Sequence, residues 1–186
     1  MKLSENPLLS SPENAVRFKI LHALTRPLDE LAVKDICANA GISRDTFYRY
    51  FTSKYDIAVW HGRLVQSLYL EQVGRTIDWE TGYFHNFRLL AEEKEFYGHA
   101  LKNLGRNIGE FPEMEAHRKE VLLNVLKEKR GIGASDELVF CVEAYTMLET
   151  VLVVRWLRDG CVPGPKTFTA RMLAVLPRKL YDALAL

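Results

Sequence analysis

The sequence predicts an all-α fold in two unequal parts, on three observations. Apolar residues recur at three and four positions over most of the length, and no run alternates strictly between turn signals. Helix stop and start signals fall at helix-length intervals, with glycine and proline at the breaks. The composition, 48% hydrophobic and 26% charged with 7 prolines, is that of a folded chain, and 186 residues suffice for a small module joined to a larger one.

The first helix is expected after Ser11-Pro12, because Ser caps free amides and Pro suits the first turn; it carries Val16, Ile20, Leu21 and Leu24 to the stop at Pro27. A second, 33–40, presents Val33, Ile36, Cys37 and Ala40 before Gly41, the natural place for the positive φ of a tight turn. The third starts at Ser43, whose hydroxyl can cap the first turn, and turns Phe47 and Phe51 inward. Ser53 to Asp56 reads as a capping box opening a helix that runs to Arg75. Further helices are expected at 79–92, 93–104, 112–130, 135–159 and 165–184, about nine in all. Breaks fall at Gly105, Gly109 to Pro112, Gly131 to Gly133 and Gly160 to Pro165, and Pro177 kinks the last helix.

Charge and cysteine usage narrow the function. The net charge is +1, and the first 55 residues hold eight Lys/Arg against six acids, so any nucleic-acid surface must be local. Cys37, Cys141 and Cys161 make no C-x-x-C pair, and His22, His61, His85, His99 and His117 stand singly, which points to no zinc site. There is no phosphate loop and no G-x-S-x-G; "GRNIGEF" and "RGIGAS" read as loops, so neither an enzyme nor a cofactor is expected. "MKLSENPLLSSPEN" lacks an apolar signal region, and Glu143, Glu149 and Arg155 interrupt the greasiest segment, 138–157. A cytoplasmic protein without a membrane span is the expectation.

Two short helices joined by Ala40-Gly41-Ile42-Ser43 outline a helix-turn-helix, a motif whose second helix lies in the DNA major groove. With Phe47 and Phe51 docked inward, Arg44, Asp45, Thr46, Tyr48 and Arg49 are left on the other sides. The outline alone is shared by many helical hairpins. "LAVKDICANAGISRDTFYRYFTSKYDIAVW", however, resembles the DNA-binding segment of the TetR (tetracycline-repressor) family of bacterial transcription regulators. Val33, Asp35, Ile36, Ala40, Gly41, Ile42, Ser43, Thr46, Phe47, Tyr48, Phe51 and Lys54 all fall on that pattern. The wording is closest to a branch with Pro-Phe-x-x-Ile-Thr-Val-x-Asp-Ile-Cys and Arg-x-Thr-Phe-Tyr, from which this chain departs by Ala32 in place of a capping Thr.

The resemblance implies a DNA-binding domain over 1–56 and a helical regulatory and dimerisation domain over 57–186. It places Arg44, Asp45 and Thr46 at base edges, Tyr48 and Lys54 on phosphates, Arg49 on either, and Lys34 near the backbone, with Ser43 at the start of the reading helix. Asp45 reads equally as a first-turn acid complementing the helix dipole. The last two long helices are expected to form a homodimer interface including Val151, Leu152, Val153, Trp156, Met172 and Leu176, which supplies two reading heads for an approximately palindromic double-stranded operator. A small-molecule effector is implied too. Tyr83 and Phe87, with the stripe Glu143, Thr146, Met147 and Thr150, are its candidate lining. The expected function is a dimeric regulator, more often a repressor released by such an effector. The alternative is a protein-binding coregulator of the same fold, consistent with the modest local charge and the missing Thr cap.

Overall fold

The computed structural model describes residues 11–103, 111–131 and 133–186. The molecule is all-α, and no strand occurs among the described residues. Ten helices follow in order among the described residues: α1 (Pro12–Leu21), α2 (Val33–Ala40), α3 (Arg44–Tyr50), α4 (Asp56–Leu68), α5 (Trp79–Glu92), α6 (Lys94–Ala100), α7 (Pro112–Arg130), α8 (Asp136–Arg158), α9 (Pro165–Val175) and α10 (Arg178–Ala183). Short 3-10 turns cover Leu28–Glu30 and Leu70–Gln72. The breaks expected at Gly105 and Gly109, and most of the amino-terminal stretch, lie outside the described residues.

Helices α1, α2 and α3 pack on one another, and α1 also meets α4. Behind them α5 packs on α9, α7 and α6 pack on α8, and α8 meets α10. A column of rings joins the two groups. Phe18 of α1 meets His61 of α4 edge-on with centroids 6.0 Å apart, and His61 meets Phe96 of α6 at the same separation. Burying such rings contributes both area and edge-to-face attraction, so α4 is held on both sides.

The expected boundaries of α2, α5, α7 and α8 recur to within a residue; α1 ends at Leu21, before Leu24, α6 ends at Ala100, short of 104, and three further expectations are corrected. The helix expected over 165–184 is two helices, because Leu176, ahead of Pro177, leaves the helical region at φ −68 and ψ 124. Helix α4 stops at Leu68, short of Arg75: the chain doubles back around the Gln72 carbonyl, which accepts the amides of Arg75, Thr76 and Ile77. The capping box at Ser53 forms only in part. Asp56 Oδ2 accepts the Ser53 amide at 2.9 Å, but the Ser53 hydroxyl donates to Asp56 Oδ1 at 2.8 Å instead of accepting from the helix, which begins at Asp56.

Candidate functional site

The turn between α2 and α3 is built by its sequence. Gly41 sits in the left-handed region at φ 61 and ψ 44, where a side chain would be strained, and the Ile42 amide returns to the Cys37 carbonyl at 3.0 Å. Ser43 Oγ accepts the Thr46 amide at 3.0 Å and lies 2.9 Å from the Thr46 hydroxyl, so both residues start α3. Ala32 offers no acceptor ahead of α2. Asp35 supplies the reciprocal half alone, accepting the Ala32 amide at 3.2 Å.

Phe47 is fully buried and Phe51 nearly so, which fixes the roll of α3. Ser43, Arg44, Asp45, Tyr48 and Arg49 are consequently exposed on α3, Lys34 is exposed on α2, and Thr46 is half-buried. The Arg44 guanidinium carbon lies 6.0 Å from the Tyr48 ring centroid, one helical turn away. A forked cation and a phenol therefore share one outward face, a combination able to address a guanine edge and a phosphate.

Lys54 is placed differently from expectation. Its half-buried ammonium donates to the carbonyls of Leu28 and Leu31 at 2.6 and 2.9 Å, so it closes the 3-10 turn ahead of α2. The neighbouring Tyr55 hydroxyl donates to Asp29 Oδ1 at 2.9 Å, and Asn103 donates to Asp29 Oδ2 at 2.7 Å. These bonds, Asn103 first, hold the Asp29 carboxyl below the usual carboxylate range. Lys19, which the sequence reading passed over, brings its ammonium beside the turn, 3.8 Å from where a Gly41 Cβ would stand.

A second site lies in the interior. Arg118 of α7 and Glu149 of α8 form an ion pair at 2.8 Å with side chains 2% and 6% exposed. The Tyr83 hydroxyl donates to the other Glu149 oxygen at 2.5 Å and also contacts the Tyr145 hydroxyl, while Arg118 Nη1 donates to the Leu70 carbonyl. Burial first, then the Glu149 charge, raises the Tyr83 pKa well above the ordinary phenol value. For Arg118 burial acts downward, but the Glu149 carboxylate outweighs it and the guanidinium is held charged more firmly than usual.

This pair borders a mainly apolar cavity of about 60 Å³ among α4, α5, α7 and α8, lined in part by Gly62, Asn86, Leu90, Met114, Arg118 and Val154. Of the six residues expected around a ligand, Thr150 lines it and the others do not. Glu143 pairs with Lys119, Met147 is exposed, and the buried Thr146 donates to the Glu143 carbonyl. Tyr83 and Phe87 are wholly buried; Phe87 packs on Phe168 of α9, with centroids 4.8 Å apart. From α8 the cavity is lined by Glu149, Thr150, Val153, Val154 and Leu157, one to two turns beyond Glu143 and Thr146.

The expected interface residues also divide. Trp156, Met172 and Leu176 belong to this chain's own core; the Trp156 ring stacks on Phe168 at 4.5 Å and its Nε1 donates to the Pro163 carbonyl. Val153 lines the cavity, whereas Val151 and Leu152 are partly exposed. Beside these last two, Phe140, Met147 and Leu148 leave large apolar surface outward on α8, as does Val175 on α9.

Among the described residues no group of three or more His, Cys, Asp or Glu could hold a metal ion, and no helix is long and apolar enough to cross a membrane. No curated protein matches the chain. Residues 24–59, which span α2, the turn, α3 and the start of α4, match the family described as bacterial regulatory proteins, tetR family. Residues 24–59 are thus similar to the DNA-binding module of that family, which indicates a DNA-binding transcription regulator.

Proposed function

We propose that the chain works as a homodimeric repressor that binds an approximately palindromic operator and is released by a small-molecule effector held in the interior cavity. The observation that carries this reading is the roll of α3. With Phe47 wholly buried, Arg44, Tyr48 and Arg49 all face outward from a helix beginning at a capped, exposed turn. Residues 1–56 then form the reading unit and 57–186 the regulatory one. Arg44, Asp45 and Thr46 address bases, Tyr48 and Lys34 address phosphates, and Arg49 serves either. The two copies pair through the outward stripe of Phe140, Met147, Leu148, Val151 and Leu152, because so much exposed apolar surface on one helix favours a partner.

Regulation follows from placement. The cavity is bordered by Ala58, Val59 and Gly62 of α4, the helix that follows the reading helix. A molecule bound there acts as an inducer only if it favours the arrangement of the reading heads that the operator does not.

A second reading, a coregulator that acts through a partner protein, is favoured by two details: Lys54 is turned inward, and Ala32 leaves α2 without a hydroxyl cap. Capture of genomic fragments by the purified protein separates the two. Enrichment of a site with two related half-sites, bound by a species that sediments as a dimer, supports the repressor reading. Absence of any enriched site favours the coregulator.

A further inference from the structure

Among the described residues, two buried polar atoms that belong to residues lining the cavity have no hydrogen-bond partner. Arg118 uses Nε on Glu149 and Nη1 on the Leu70 carbonyl, and its Nη2 is left over. Asn86 of α5, 2% exposed, carries an unpartnered Oδ1. Both residues line the cavity. One is a donor and the other an acceptor, and burying such groups unpaired is costly enough that this wall is matched to a polar partner.

The charge of the wall limits that partner. Arg118 and Glu149 are the charged residues lining the cavity, and they neutralise each other at 2.8 Å. An anionic ligand would set an uncompensated charge beside Glu149, and a cationic one beside Arg118; desolvating either is unfavourable. The rest of the wall is mainly apolar, with Leu90, Leu101, Phe111, Met114 and Val154 among its residues. At the Leu101 and Met114 end the cavity shares its lining with a more open groove that reaches Leu28 and Tyr55, so a body larger than the narrow part can extend that way.

We propose that the cavity takes a neutral small molecule with an apolar body whose one polar end accepts a hydrogen bond from Arg118 and donates one to Asn86, as a carboxamide does. This rests on the reading of the cavity as the effector site and adds the chemical class. Met114 supports close approach of an apolar body: its Cε lies 3.0 Å from where a Gly62 Cβ would stand, so α4 and α7 meet here through a flexible thioether.

Three probes of one shape and different charge test it on the full-length protein: benzamide, benzoate and benzamidine, titrated by calorimetry. The expected result is that benzamide binds about tenfold more tightly than either charged analogue. Asn86→Leu is expected to weaken benzamide about tenfold and to leave benzoate, which has no N–H to donate, unchanged. Benzoate or benzamidine binding as well as benzamide, or no binding of any of the three, overturns the proposal. So does an Asn86→Leu protein that binds benzamide as the parent does. If that variant does not fold, the order of the three probes on the parent protein still decides. Parallel titrations with an operator-containing fragment from the genomic capture keep the two ideas apart. Operator binding without benzamide binding removes the ligand class and leaves the regulator; benzamide binding that is equal with and without operator leaves the class and removes release by that molecule.

Discussion

Arg118 and Glu149 meet at 2.8 Å in the middle of the molecule, nearly out of contact with solvent. Through Tyr83 and the Leu70 carbonyl, the pair ties α7 and α8 to α5 and to the turn after α4. A clamp of this kind is strongly destabilised by removing one partner, because the survivor is a buried charge without its counterion.

Glu149→Gln should therefore lower stability by about 3 to 5 kcal/mol. The double change Arg118→Met with Glu149→Leu should lower it by less than Glu149→Gln alone, because no charge is left stranded. Urea denaturation of the variants checks this. Strictly additive losses would show that the pair does not act as a unit.

The His61 imidazole gives stability a pH dependence. Burial lowers its pKa from 6.5 to about 4, with the Glu93 charge acting upward and His22 downward. Below the unfolded value the unfolded chain takes up a proton that the folded chain refuses. Stability should thus be fully present above about pH 6.5, fall as the pH drops, and level off below about pH 4, a total near 3 kcal/mol. Denaturant midpoints at about pH 7.5, 6 and 5 should decline less steeply for His61→Phe than for the parent.

Gly82 is fixed by packing. A Cβ there would stand 2.4 Å from Cγ2 of the wholly buried Val73, a stiff branched side chain. Gly82→Ala should destabilise by about 1 to 3 kcal/mol through overpacking, offset in part by the roughly 1 kcal/mol that alanine gains in a helix. A thermal melt at or above the parent's would show that α5 can move away from Val73.

Lys54 separates a structural cation from a DNA contact. Lys54→Met keeps the stem and strips the donors from the Leu28 and Leu31 carbonyls, which should lower stability by about 1 to 3 kcal/mol. The slope of log affinity against log salt should stay as it is. A slope reduced by about 1 would mean that the ammonium reaches a phosphate.

Most of this fold is legible in the sequence because helix ends carry local signals: Ser11, Ser43 and Ser135 each cap the helix that follows, and Gly41 and Gly131 end α2 and α7 in the left-handed region. The outward face of α3 is legible for a similar reason, since Phe47 and the turn residues fix the roll of a short helix. The interior is not. Glu149 stands out in an apolar run, and its burial calls for a cation, but nothing local selects Arg118 from the charged face-like string "PEMEAHRKEVLLNVLKEKR". Asn86 gives no signal either, because a lone Asn in an amphipathic helix reads as solvent-facing. Lys54 sits on the motif, yet its inward turn depends on two carbonyls more than twenty residues away. Trp156 on α8 and Met172 on α9 look like interface residues from their apolar surroundings, and only the packing of α9, with Phe168 stacked on Trp156 and α5 against it, shows them to be core.

If the outward face of α3 reads DNA bases, Arg44→Ala must change how well the protein tells its operator from other DNA. Affinities for the captured operator and for an unrelated duplex should be measured at one salt concentration by fluorescence anisotropy. Operator binding should weaken by about 1 to 3 kcal/mol, preference at one base step should relax, and the unrelated duplex should change far less. Equal losses on both duplexes, or discrimination left intact, would contradict the assignment of Arg44 and of the α3 face to base reading.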